Sequence, residues 1–204
     1  MHSFTKTMSQ SSNKFIKSMS LINLLPQTIK EELRSKSLLK VISGLNNFEL
    51  QSVKKISEAA ALGGADLIDI ACKPELVESA IRISSLPVCV SSVEPKLFID
   101  SVKAGASLIE IGNYDTFYEK GITFSDNEIL KLTKETRDLL PNSPLSVTVP
   151  HTIPLDKQVN LAIKLVDEEV DIIQTEGGTS SQPYSSGVQV FLKSQYQLLP
   201  LPTQ

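Results

Sequence analysis

Short apolar, β-branched runs recur along the chain at 38–44, 65–73, 87–92, 107–113, 144–151 and 170–178. Runs of this length, bounded by turn residues, predict six strands. Between them the apolar positions switch to a helical period. Phe48, Leu50, Val53, Ile56 and Ala60 share one stripe, and Leu76, Val77, Ala80 and Ile81 another. Leu97, Ile99, Val102 and Ala104 make a looser stripe. Ile129, Leu130, Leu132, Thr133 and Thr136 follow the same period, and Leu155, Val159, Ala162, Ile163 and Val166 form the clearest case. Glu94-Pro95, Ser125-Asp126 and Pro154-Leu155-Asp156 supply helix-start chemistry, and Gly63-Gly64 and Ala104-Gly105 helix-stop chemistry. A short amphipathic helix is also expected around Thr28–Ser35.

The alternation has an internal echo. "GADLIDIA" at 64–71 and "GASLIEIG" at 105–112 agree at nearly every position, and "VDIIQTEG" at 170–177 is a weaker copy. Repeated helix-end-plus-strand units imply stacked βα units, parallel pairing and right-handed crossovers. The strand faces then choose the architecture. One face is apolar: Val41, Ile68, Ile70, Val88, Val90, Ile109, Ile111, Val147 and Ile173. The other carries Lys40, Asp69, Cys89, Glu110, Ser146, Thr148 and Gln174 in mid-strand. A doubly wound sheet meets helices on both faces and reads apolar throughout. Helices on one side and a polar-tolerant interior on the other predict an α/β fold of the TIM (β/α)8 barrel class. With six strands in place of eight, the barrel is expected to be incomplete.

Composition narrows the function classes. The chain has 204 residues, enough for one domain with a real core, and a net charge of −3 that gives no general attraction to nucleic acid or an anionic membrane. No apolar run approaches the roughly 18 residues of a membrane span. Cys72 and Cys89 have neither metal-ligand nor disulfide spacing and read as buried thiols in a reducing compartment. No cofactor motif and no metal-ligand pattern is present in the sequence. Residues 1–30 hold four Lys, six Ser and three Thr but no acid. Such a leader suggests either an organelle transit peptide or a plain disordered tail.

Barrel chemistry gathers at the C-terminal ends of the strands. There the chain offers Ser43, Asn46, Ser91, Asn113, Thr148, Gly177 and Gly178 as ligand-binding candidates. The sharper candidates for catalysis are Lys40, Asp69 and Glu110, with His151 and Glu176. A lysine beside carboxylates in a low-dielectric interior can have its pKa moved toward neutrality, where it acts as base or Schiff-base nucleophile. The competing expectation is a structural ion pair between interior layers. His151 stands at a strand end, where it reads as a general acid or base or as a hydrogen-bonded loop residue. Glu176 before Gly-Gly places a carboxylate beside a loop that a ligand can approach closely. The long loop 113–123, with Tyr114, Phe117 and Tyr118, reads as a lid or as an aromatic plug.

The segments "LLKVISGLNNF", "DIACKPELV", "LPVCVSSVEP", "AGASLIEIGNYDTFYEKG", "LTKETRDLLP", "LSVTVPHT" and "DIIQTEGGTSS" resemble the family called hypothetical chloroplast open reading frame twenty-three. The resemblance covers about residues 38–189. It implies an aldolase-type barrel, a plastid location in soluble form and no assigned reaction. A lyase or isomerase of a small phosphorylated or carboxylated metabolite, and a non-catalytic metabolite-binding or regulatory barrel, are the two functions weighed. On this reading residues 1–37 are a leader, 38–189 a partial barrel and 190–204 a tail that departs from the family. Read two bases later, the tail codons permit Ile-Pro-Thr-Leu-Ala-Ala-Thr-Tyr-Ser, close to what the resemblance implies there. The expectation is a frameshift or truncated product without activity of its own; a genuine short form is the alternative. Either way, the edges of the first and sixth strands are expected to face nothing and to need an oligomer or partner to cover them.

Overall fold

A computed structural model describes residues 21–176. Six parallel strands follow one another in space as in sequence: β1 Lys40–Gly44, β2 Leu67–Ala71, β3 Val88–Ser91, β4 Leu108–Ile111, β5 Leu145–Val149 and β6 Ile172–Thr175. Helices α1 Gln27–Ser35, α2 Leu50–Leu62, α3 Pro74–Ser84, α4 Leu97–Lys103, α5 Asp115–Tyr118, α6 Asp126–Leu139 and α7 Leu155–Asp167 complete the described residues. This is the incomplete β/α barrel that the strand faces demanded. Among the described residues β1 pairs only with β2 and β6 only with β5, so these two strands are the edges of the described sheet.

The helices start and stop for local reasons. Ser125 caps α6 through a full capping box with Glu128, and the Glu49 carboxylate accepts the Gln51 and Ser52 amides to open α2. Gly64 and Gly105 turn the chain at φ +77° and +109°, in the left-handed region where a Cβ is strained. Each leads directly into the next strand, which explains the repeated Gly-Ala at both points.

The apolar strand face found in the sequence packs outward. Ile68, Ile70, Val88, Val90, Ile109, Ile111 and Val147 are buried against Val53, Leu76, Val77, Ala80, Phe98, Ile129, Leu161 and Leu165 of the helices. A second, smaller cluster lies under the interior. Leu25 and Ile29 meet Leu67, Cys89 and Leu108 there, with Leu33, Leu38 and Ile172 around them. Thus α1, the short helix expected just ahead of the first strand, packs across the N-terminal end of the sheet and closes that end. Cys72 and Cys89 are both free thiols and buried. Among the described residues no helix is long and apolar enough to cross a membrane.

Arg137 of α6 fixes the last strand from below. Its guanidinium donates to the carbonyls of Ser143 (2.8 Å) and Glu169 (2.6 Å) and to the Asp171 carboxylate (3.1 Å). Asp171 also accepts the Leu145 amide at 2.9 Å. One ion pair therefore ties α6 to the entrances of β5 and β6.

Candidate active site

Strand register brings the interior polar residues together. Asp69 stands opposite Cys89, Ser91 opposite Glu110, Glu110 opposite Ser146, and Thr148 opposite Gln174. Residues paired this way point to the same face. The side chains make one network. Lys40 Nζ lies 2.7 Å from Glu110 Oε2 and 3.4 Å from Asp69 Oδ2. Ser91 donates to Asp69 Oδ1 at 2.7 Å, and Asn113 donates to Asp69 Oδ2 at 2.8 Å and to Ser91 at 2.9 Å. On the other flank Gln174 donates to Glu110 and, at 2.7 Å, to Ser146.

Burial and charge act against each other in this network. Loss of solvent pushes the Asp69 carboxyl up to about 6, helped by the Glu110 charge and opposed by Lys40, Ser91 and Asn113. For Lys40, desolvation favours the neutral amine. The acid groups around it, Cys89, Glu110 and Asp69, outweigh that and hold the ammonium above its ordinary value. The Cys89 thiol is itself pushed well up by burial and by the two carboxyls, so it is protonated at neutral pH and the carboxylates carry the effect. The expectation that Lys40 is moved toward neutrality is thereby corrected. Two carboxylates beside one ammonium stabilise its charge more than burial penalises it, so the Lys40 amine is held in its charged form.

A second group sits at the ends of β5 and β6. Glu176 Oε2 accepts the His151 backbone amide at 3.0 Å, lies 2.7 Å from His151 Nδ1, and accepts the Tyr118 hydroxyl at 2.9 Å. The Tyr118 and His151 rings meet edge to face with centroids 5.1 Å apart. Burial and the Glu176 charge raise the Tyr118 phenol far above its usual value, so it remains a donor. Within this trio Glu176 Oε2 meets both the backbone amide and the ring Nδ1 of His151, which holds the ring in one orientation.

The other ligand-binding candidates take different places. Ser43 accepts from Asn47, which also reaches Ser52 at the start of α2, so Ser43 belongs to the loop and helix start rather than to the interior network. Asn46 donates to Thr116 at 2.9 Å and ties the loop after β1 to the segment after β4. Asn113 stands at φ +61°, a left-handed position that asparagine tolerates better than most residues, and this turn aims its amide at Asp69. Gly177 and Gly178 lie outside the described residues. The aromatic loop is in part a plug: Tyr114 is fully buried, donates to the Ile111 and Thr148 carbonyls, and packs on Phe124 at 4.9 Å.

Several contacts of the candidate site are not visible in the sequence. Gln174 and Ser146 show there as polar interior positions, but only register reveals that Gln174 bridges Ser146 and Glu110. Tyr118 reads as a lid aromatic, and nothing local marks its bond to a carboxylate 58 residues away. Gly112 follows β4 at the strand end, but what it must make room for is visible only in the fold. A Cβ there would collide with the Thr148 hydroxyl and lie 2.8 Å from Glu110 Oε1. Gly112→Ala is expected to push both side chains aside and to cost about 1–3 kcal/mol. Urea midpoints check this, and Gly112→Ala with Thr148→Ala should recover part of the loss. Equal stability of the single variant and the parent would show that the notch is not needed.

Three comparisons with known proteins bear on this site. The family model described as "Protein of unknown function (DUF561)" matches residues 24–201. The chain is 52% identical over 146 residues to "Uncharacterized protein ycf23" of Cyanophora paradoxa, covering 71% of this chain and 60% of that protein. It is 39% identical over 157 residues to the protein of the same description from Pyropia yezoensis, covering 77% and 58%. The chain thus spans about 60% of the length of these relatives. Among solved structures it is similar to a putative deoxyribose-phosphate aldolase from Toxoplasma gondii, with TM-score 0.52, 15% identity, and coverage of 90% of this chain and 75% of that one. It is also similar to a dihydropteroate synthase from Coxiella burnetii, with TM-score 0.52, 14% identity, and coverage of 79% and 68%. Identities this low carry the fold alone: an aldolase-type TIM barrel, here with six strands among the described residues.

Proposed function

The chain belongs to the DUF561 family of proteins of unknown function, and from that premise we propose that its barrel is a proton-transfer site for a small phosphorylated or carboxylated metabolite. The reaction class is lyase or isomerase, and the setting is the plastid. The observation that carries this reading is the Glu176–His151 pair at the strand ends, 2.7 Å apart and joined by Tyr118. His151 is the acid–base group, with Glu176 and Tyr118 as positioning residues. Lys40, held charged between Asp69 and Glu110, supplies a fixed positive charge beneath it. Ser91, Asn113 and Gln174 keep the carboxylates from turning. The phosphorylated part of the ligand class rests on analogy with complete barrels, whose phosphate cradle is commonly built by the loops after strands seven and eight, outside the six strands described.

Proton exchange tests this directly. Dihydroxyacetone phosphate and pyruvate, in deuterated buffer, are incubated with this chain and with the full-length Cyanophora paradoxa relative, and loss of the C–H signals beside the carbonyl is followed by NMR. Exchange above buffer is expected with at least one probe. His151→Asn should slow it by roughly 10²–10⁴-fold, and Tyr118→Phe by less. No exchange by either protein, or full exchange by the His151 variant, overturns the proposal. The Asp69 and Glu110 carboxylates are already engaged by protein donors, which favours a second reading of a metabolite-binding barrel. Thermal stabilisation by a probe without exchange would support that one.

A further inference from the structure

Three adjacent strands each send one donor to the same point of the interior. One ligand atom each from Asp69 of β2, Cys89 of β3 and Glu110 of β4 lies within 4.8 Å of the others, and all three side chains are buried. No sequence spacing announces this set, because its members are brought together by sheet order rather than by one turn or helix. The Cys89 thiol is fully buried and makes no hydrogen bond to the described residues, yet it faces two carboxylates. Ser91, Asn113 and Gln174 hold those carboxylates from behind, as outer partners hold metal ligands. The cation found against this cage is the ammonium of Lys40, reaching in from the edge strand β1.

We propose that the Lys40 ammonium fills the cation position of a three-donor cage made by Asp69, Cys89 and Glu110, and that removing it opens a site for one thiophilic divalent ion. The charges support the exchange. Two carboxylates and one ammonium sum to −1 with the thiol protonated. With the lysine gone, a divalent ion displaces the thiol proton to solvent, and two carboxylates, one thiolate and the ion again sum to −1. A donor set of one sulfur and two oxygens suits zinc, cobalt or cadmium rather than magnesium or calcium, which take oxygen alone. In the parent chain the tethered ammonium repels such an ion, so the native cage is reserved for its own lysine. The inference stands on geometry and charge, whatever reaction the barrel performs.

Cobalt and zinc are the probes. Lys40→Ala is expected to bind one cobalt ion with a cobalt–thiolate charge-transfer band and to melt at a higher temperature with zinc. The parent should show neither, with affinity weaker by at least roughly a thousandfold, since an ammonium repels a divalent ion more than two unit charges repel at contact. Lys40→Ala with Cys89→Ser should lose the band. If Lys40→Ala does not fold alone, refolding it in zinc should recover the native circular dichroism spectrum, again only while Cys89 is present. A parent that binds cobalt equally well, a Lys40→Ala chain without the band or rescue, or a cysteine-free variant that keeps either, overturns the proposal.

Discussion

Lys40→Met is expected to destabilise the protein by about 3–5 kcal/mol near pH 8, and by less near pH 5.5. Methionine keeps the length and apolar stem of the lysine, so the loss reports the charge rather than a cavity. Two buried carboxylates then share the interior without a cation, and breaking a buried pair costs far more than the pair itself contributes. The pH dependence follows from the signs. Lys40 is raised above its unfolded value of 10.5, so its contribution is fully present below that value and stays constant across the range studied. Asp69 is raised from 3.8 to about 6, so the folded chain binds its proton more tightly than the unfolded chain. Stability therefore falls as pH rises from about 4 to 6. Removing Lys40 removes an influence that holds Asp69 down, and the window extends upward. At pH 5.5 protonation of Asp69 relieves the variant; at pH 8 it does not. Guanidinium melts of parent and variant at both values check this. A loss equal at both, or no loss, would mean that solvent reaches the carboxylates when the lysine leaves.

The sequence carried the fold further than the site. Alternation in the strands separated an outward apolar face, Ile68 to Val147, from an inward polar one, Asp69 to Gln174, and this parity is a local property of each strand. The candidate triad Lys40, Asp69 and Glu110 was legible for the same reason, since charge in the middle of an apolar strand is conspicuous. What each charge meets was not. Lys40 and Glu110 are 70 residues apart, and their contact depends on strand order and stagger together. The direction of the Lys40 shift required the count of carboxylates around it, which only the folded register supplies. His151 and Glu176 stood out as strand-end residues, but their partnership and the role of Tyr118 come from three separate connections converging at the mouth. The helix at Gln27–Ser35 was legible as an amphipathic stretch; that Leu25 and Ile29 close the lower end of the interior depends on the inward Leu67 and Leu108.

The candidate site is expected to depend on a contact at the opposite end of the sheet, and Arg137→Met tests that dependence. It is expected to cost about 3–5 kcal/mol, the range for leaving one partner of a buried ion pair uncompensated. The guanidinium is one-tenth exposed and its partner Asp171 fully buried. Without it the Ser143 and Glu169 carbonyls lose their donor, and Asp171 keeps only the Leu145 amide. Burial already raises the Asp171 carboxyl, against Leu145 and Arg137. Its loss of Arg137 raises it further, so the deficit should be larger at pH 7 than at pH 5. Adding Asp171→Asn to Arg137→Met should recover part of the stability by removing the stranded charge. Arg137→Lys should fall between parent and methionine, because an ammonium restores charge but not the fork that serves three acceptors. Because Asp171 opens β6, hydrogen exchange should accelerate first at residues 170–175. Gln174 lies on that strand and Glu176 directly follows it, so the grip on Glu110 and the support of His151 should weaken together. Uniform acceleration across all six strands would instead mean that Arg137 supports the whole fold and has no selective hold on the site.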